Sequence, residues 1–385
     1  MHLIESYATN CGLKIDEPFI YEKFFPLSSE KYITFSTSAE QAKDYDYWIE
    51  VLNLLLPKFK ENNISILQLG DRGLRPLPYC LSAVGLTNRN QEAYLIRNGL
   101  LHLGVDNFLS QLAGSYNRKQ VCLYGNSYSK DVRPYWGVDR NTTILESHRN
   151  GKKPSFSSVE NPKTINLILP EDVAKAVCEL LNLDFDYKYK TVEFGGNYPN
   201  RIIETLPNQV VDIKSMNLDS IIVRMDYFFN EENLIKQLQL GKASIVTDKP
   251  INEQIIQQFK GSIKEVVYFV RKDHDPKFVS TLKKCAVRFM MMTDLPPEEL
   301  EKIKIHYMDH GIIYPVIKQQ TGHLRNKALY YLSSKITLSN SKMYPSKAAL
   351  SLDKPLENQY DVSEVVDTEE FWEDASHCYF LEKIL

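Results

Sequence analysis

The chain has 385 residues, 43% of them apolar and 25% charged, an ordinary balance for a globular protein with enough length for two cores. Its 46 basic and 49 acidic residues leave a net charge of −3, which excludes the strongly basic footprint of a nucleic-acid binder. No apolar run approaches the ~18 residues of a membrane span, and the opening MHLIESYATN lacks the pattern of a signal peptide, so a cytoplasmic protein is expected.

In chain order, residues 2–13 read as a helix ending at Gly12, and 14–30 as an extended connector containing Pro18 and Pro26. Lys31–Ser36 starts a strand. An amphipathic helix follows over Tyr47–Lys60, with Trp48, Val51, Leu52, Leu55 and Phe59 at helical spacing. Ile64–Leu69 is the next strand, closed by Gly70-Asp71-Arg72, and the strand–helix–strand order predicts a parallel pair. Gln91–Asn98 reads as a helix. The stretch 101–127 then supplies a buried strand (Leu101–Val105), an Asp at its end, a short helix, and a second strand (Gln120–Tyr124) running into Gly125-Asn126-Ser127. Residues 131–163 read as loop, and Pro170-Glu171-Asp172 begins a helix through Leu181. In an open parallel sheet, strand ends like these line a ligand crevice.

The alternation continues over 191–315. Strands are expected at Thr191–Phe194, Val210–Ile213, Ser220–Met225, Ser244–Thr247, Val266–Phe269 and Val287–Met292. Helices are expected at Glu231–Leu240, Asn252–Lys260, Pro276–Cys285 and Pro297–Tyr307. Val316–Leu350 carries only basic charges and Ser351–Leu385 mostly acidic ones, which suits two pieces that pack on one another or across the domains. The expected divisions are a linker helix and connector (1–30), a Rossmann-like domain (31–186), a second such domain (187–315) and a bracing segment (316–385). Six scattered cysteines, Cys11, Cys80, Cys122, Cys178, Cys285 and Cys378, form no close Cys-x-x-Cys pair. They read as free thiols in a reducing compartment.

Five segments together carry a family likeness: KYITFSTSAEQAKDYDYWIEVLNLL, ISILQLGDR, LHLGVDNFLSQLA, VCLYGNS and INLILPEDVAKAVCELL. Their order resembles the donor-binding half of glycosyltransferase family 9, the heptosyltransferase-like enzymes of GT-B fold. LHLGVDNFLSQLA is similar to that family's Asp-Ser/Thr-Gly-x-x-His-Leu-Ala motif, with Phe108 at its Gly and Gln111 at its His. Asn126-Ser127 stands where the family has Pro/Ala-Thr. The resemblance implies two Rossmann-like, doubly wound α/β domains and transfer of a sugar from a nucleotide-sugar donor to a glycan or other hydroxyl acceptor, with no metal and no separate cofactor. GT-B enzymes normally place the acceptor domain first, whereas here the donor-like half comes first, so the acceptor half is expected either to be permuted to 191–315 or to be absent, with a partner chain supplying it.

Residue chemistry fits that donor. A departing diphosphate needs positive charge, and Lys43 after a strand, with backbone N–H groups at a helix start, supplies it. Gly125, Asn126 and Ser127 offer a backbone nest and a hydroxyl. Asp106 is expected to cap the following helix by accepting from residues 108–109. Asn107 and Gln111 are placed with it at the donor, Gln111 as a hydrogen-bonding group that cannot titrate. Asp71 is the candidate for a ribose hydroxyl. An acceptor hydroxyl needs a carboxylate to take its proton, and Asp226 or Glu193 is the candidate. Two other readings remain: an inactive binding or assembly protein on the same fold, and a sugar-nucleotide epimerase.

Overall fold

A computed structural model describes every residue except 39, 193, 195–197, 199–201, 213–219, 315–320 and 385. Two units emerge, Met1–Thr191 with the last two residues, and Val192–Lys383.

In the first unit, six strands form one sheet: β1 (Tyr32–Ser36), β2 (Ser65–Leu69), β3 (Leu81–Ser82), β4 (His102–Val105), β5 (Gln120–Tyr124) and β6 (Thr142–Glu146), in the order β3-β2-β1-β4-β5-β6. All neighbouring pairs are parallel, including the β1–β2 pair expected from its intervening helix. The helices are α1 (Leu3–Cys11), α2 (Trp48–Glu61), α3 (Arg89–Asn98), α4 (Phe108–Ser115), α5 (Ser129–Val132) and α6 (Pro170–Leu181). α2 packs with α6 and α3 with α4, the pairing produced when a chain winds over both faces of a sheet. Burial on both faces is why β1, β4 and β5 are buried at every position rather than alternating.

Local chemistry sets the element ends. Gly12 closes α1 at φ 64°, a left-handed conformation that glycine adopts without a Cβ penalty. Asn88 caps α3 reciprocally with Gln91. β6 falls where the sequence reads as loop, and β3 in a stretch for which no element is expected. β6 is half-exposed along its length and β3 is two exposed residues, so neither carries the apolar run that marks a buried strand. Ile20, Phe25 and Leu27 of the connector pack against the core around Leu67, Leu69 and Leu112.

The second unit begins after a short strand, β7 (Tyr189–Thr191). Its large sheet contains β8 (Ile202–Thr205), β9 (Ile221–Arg224), β10 (Ala243–Thr247), β11 (Ile263–Phe269), β12 (Phe289–Met292) and β13 (Ile312–Ile313). Helices α7 (Glu231–Leu240), α8 (Glu253–Phe259), α9 (Pro276–Lys284) and α10 (Pro297–Lys304) alternate with them. After β13 the chain returns through β14 (Leu329–Ser333) and places β15 (Lys335–Ser339) parallel to β8, with β16 (Lys342–Tyr344) antiparallel beyond it. The carboxy-terminal stretch therefore does more than brace, since it completes the large sheet. It also forms a small antiparallel sheet, β14 paired with β17 (Ser363–Glu364) and β18 (Cys378–Lys383).

The expected strand at 210–213 is not seen in its described part, Val210–Asp212. The side-chain amide of buried Gln237 takes the place of a neighbouring strand there, donating to the Val211 carbonyl at 2.8 Å and accepting from its N–H at 2.7 Å. The cysteines are free thiols.

Candidate functional site

The chain leaves β1 towards β2 and β3 and comes back to lay β4 on the other side of β1. The two loops leaving the carboxyl ends of β1 and β4 therefore part in opposite directions and open a crevice, the position at which open α/β sheets hold ligands. Three of the residues expected from sequence meet there. The Lys43 Nζ atom lies 3.1 Å from Asp106 Oδ2 and 3.5 Å from Glu40 Oε2. Asn107 Nδ2 donates to Ser36 Oγ at 3.0 Å, tying the two loops together. Side-chain exposures of 24% for Lys43 and 15% for Asp106 leave the pair reachable from solvent.

The cap of α4 is one residue later than expected. Asn107, extended at φ −150° and ψ 178°, accepts from the Ser110 N–H at 3.1 Å and so serves as the N-cap. Asp106 is thereby left to pair with Lys43. Burial shifts the Asp106 carboxyl upward, outweighing the pull of Lys43 in the other direction. Burial alone pushes Lys43 down, but Asp106 and then Glu40 outweigh it, and the ammonium is held more firmly than usual. The next residue, Asp44, is raised to about 6 by burial against the opposing pull of Lys163.

A buried polar chain supports the β4 side. His102 Nδ1 is 3.0 Å from Thr34 Oγ1 and its Nε2 is 3.3 Å from Ser36 Oγ, which in turn receives Asn107. Burial lowers His102 to about 3, so the ring is neutral and acts as a hydrogen-bonding spacer. Gly104 makes room for it: a Cβ there would stand 2.6 Å from Ser36 Oγ and 2.9 Å from His102 Nε2.

The remaining expected donor residues are placed elsewhere. Asp71, highly exposed, pairs with Arg89 Nη2 at 3.1 Å. The Gln111 amide donates to the Val132 carbonyl at 2.7 Å, and its oxygen has no hydrogen-bond partner among the described residues. At the end of β5, Asn126 donates to the Ser157 carbonyl at 2.8 Å. Buried Arg149 donates to the Gly125 and Ser127 carbonyls at 3.0 and 3.3 Å and also pairs with Glu146. Gly125 is required by close packing, since a Cβ would come within 2.6 Å of the Ile165 nitrogen. Ser127 Oγ is buried and finds no partner among the described residues. Arg89 and Arg149 are missing from the sequence-based expectation. The only signal available was a basic residue near a strand end or helix start, which many surface arginines share.

In the second unit, Asp226 is buried with both oxygens on Arg224, Oδ1 to Nε at 2.8 Å and Oδ2 to Nη2 at 2.6 Å. Arg224 Nη1 also donates to Glu204 Oε2 at 2.8 Å, and Lys335 Nζ lies 3.2 Å from Glu204 Oε1. Asp226, expected as a proton acceptor, thus has its lone pairs committed to a guanidinium. Glu193, the alternative, lies outside the described residues. Among the described residues no helix is long and apolar enough to cross a membrane.

No protein-family model and no curated protein matches this chain. Solved structures do resemble it in part. A family 9 glycosyl transferase from Veillonella parvula is 18% identical over 46% of this chain and 50% of its own, with a TM-score of 0.31. The ADP-heptose lipopolysaccharide heptosyltransferase II of E. coli is 20% identical over 46% and 51%, also with a TM-score of 0.31. The E. coli heptosyltransferase WaaC, solved with ADP, is 14% identical over 46% and 54%, with a TM-score of 0.30. The chain spans about half the length of these structures. At such TM-scores the likeness decides nothing about chemistry, which has to come from the residues themselves.

Proposed function

We propose that this protein is a glycosyltransferase whose first unit binds a nucleotide-sugar donor and which passes the sugar to a hydroxyl of a glycan or similar acceptor, without a metal. The observation that carries the reading is the contact of Lys43 with Asp106 at the β1/β4 crevice, beside the Asn107-capped start of α4. In this proposal the diphosphate draws Lys43 away from its carboxylates, and Asp106 turns to donor hydroxyls. The α4 N-terminus adds its N–H groups, whose partial positive charge favours phosphate oxygens. As the bond from the anomeric carbon to the phosphate oxygen breaks, Lys43 offsets the charge developing on the departing nucleoside diphosphate. The acceptor oxygen forms the new bond to the anomeric carbon while its proton passes to a carboxylate. With Asp226 held by Arg224, Glu193 is the proposed base.

A panel of nucleoside diphosphates and nucleotide sugars tests the reading by thermal shift, because a ligand bound only by the folded state raises the melting temperature. A rise with at least one nucleotide sugar, followed by sugar transfer to an added acceptor, is expected. No shift with any member overturns the proposal. Sugar interconversion without an acceptor would mark an epimerase instead.

A second reading, binding without turnover, is favoured by Gln111. Its amide is spent on the Val132 carbonyl, and an amide exchanges no proton. Donor binding with no transfer to any acceptor is the outcome that selects it.

A further inference from the structure

Phe108 is the first residue of α4, two positions beyond Asp106, and is 49% exposed at the edge of a polar crevice. Its ring is held from one side. The Arg89 guanidinium carbon stands 4.9 Å from the ring centroid, within the range of a cation–π contact. Arg89 is itself fixed: Nη1 reaches Glu92 Oε2 at 3.0 Å and Nη2 reaches Asp71 Oδ2 at 3.1 Å. The Glu92 side chain is only 2% exposed, so it anchors the guanidinium rather than following it. The turn after β2 and the first turns of α3 and α4 thus converge to hold one aromatic ring in place, with much of its surface still open.

We propose that Phe108 is the stacking platform for the base of a nucleotide whose phosphates sit at Lys43, and this rests on the nucleotide reading given above. A purine or pyrimidine has the flat π-face that an open, pre-positioned phenyl ring accepts, whatever the base's hydrogen-bonding edge. Pre-positioning by Arg89 means that little side-chain freedom is lost when the base docks. With two carboxylates on one guanidinium the platform's support carries a formal charge of about −1, which does not attract phosphate. The base is therefore held by stacking, and the anionic part of the ligand is left to Lys43.

The test compares wild type, Phe108→Ala and Phe108→Tyr by titration calorimetry against ADP, GDP, UDP, CDP and inorganic pyrophosphate. For the diphosphate that wild type binds best, Phe108→Ala is expected to weaken affinity about tenfold and Phe108→Tyr by less than about twofold. Pyrophosphate, which has no base, is expected to bind all three proteins within about twofold. An unchanged nucleotide affinity in Phe108→Ala overturns the platform, as does an equal loss for pyrophosphate, which would assign Phe108 to the shape of the phosphate loop. If wild type binds no nucleotide, the functional reading itself falls and takes the platform with it. Because Phe108 is exposed, unaltered melting of the unliganded variants is expected and checks that folding is intact.

Discussion

Lys43 and Asp106 meet at 3.1 Å from the ends of two strands that are neighbours in the sheet but far apart in the chain. Asp106 can make this contact because Asn107 has taken over the capping of α4. A ligand phosphate entering the crevice has to compete with Asp106 and Glu40 for one ammonium, so affinity for a bare anion should be weaker than a free lysine would give.

Replacing Lys43 with Met tests this directly. Nucleotide or nucleotide-sugar affinity should fall at least about tenfold, the usual scale for losing one charge-assisted phosphate contact. The unliganded protein should also lose about 1 kcal/mol, because Asp106 is left partly buried without its cation. Calorimetric titration and urea denaturation read the two effects separately.

The cap assignment predicts an asymmetry between two adjacent residues. Asn107→Ala removes both the Ser110 cap and the link to Ser36 and should destabilise the protein by about 1–2 kcal/mol. Asn107→Asp keeps an acceptor for the cap and should recover most of that loss. Were Asp106→Ala the more damaging of the two in denaturation, the cap would belong to Asp106.

His102 predicts a pH dependence with a definite sign. Its folded-state value of about 3 lies below the ordinary 6.5, so the unfolded chain binds this proton first. The contribution is therefore fully present above pH 6.5 and fades as pH falls towards 3. Asp44, raised to about 6, acts in the opposite sense, favouring the fold as it protonates. Comparison with His102→Gln cancels that background. The stability of wild type relative to the variant should decline by up to about 1.4 kcal/mol per pH unit between about pH 6 and 4. Parallel profiles for the two proteins would rule out a buried neutral imidazole.

For Asp226 the bidentate pair predicts a structural role. Arg224→Met strands the buried Asp226 carboxylate and leaves Glu204 to Lys335 alone, and should cost about 3–5 kcal/mol, with Asp226→Asn costing less. Any turnover found in wild type should persist in folded Asp226→Asn. Lost turnover with unchanged stability would return Asp226 to the role of base.

Much of the fold was legible because it is written in local periodicity. The spacing of Trp48, Val51, Leu52, Leu55 and Phe59 specifies α2, and the βαβ rhythm around it specifies a parallel pair. The helices expected at Glu231–Leu240 and Pro276–Cys285 form at Glu231–Leu240 and Pro276–Lys284. Lys43, Asp106 and Asn107 were selected by residue type and position in a motif. Tertiary structure alone decided that β1 and β4 are neighbours, because strand order depends on which buried faces pack together and not on any residue nearby in the chain. It also decided that Gly125 accommodates Ile165, that Arg149 occupies the carbonyls after β5, and that Asp226 belongs to Arg224. Close approaches and buried charge pairs join distant segments, so no local pattern announces them.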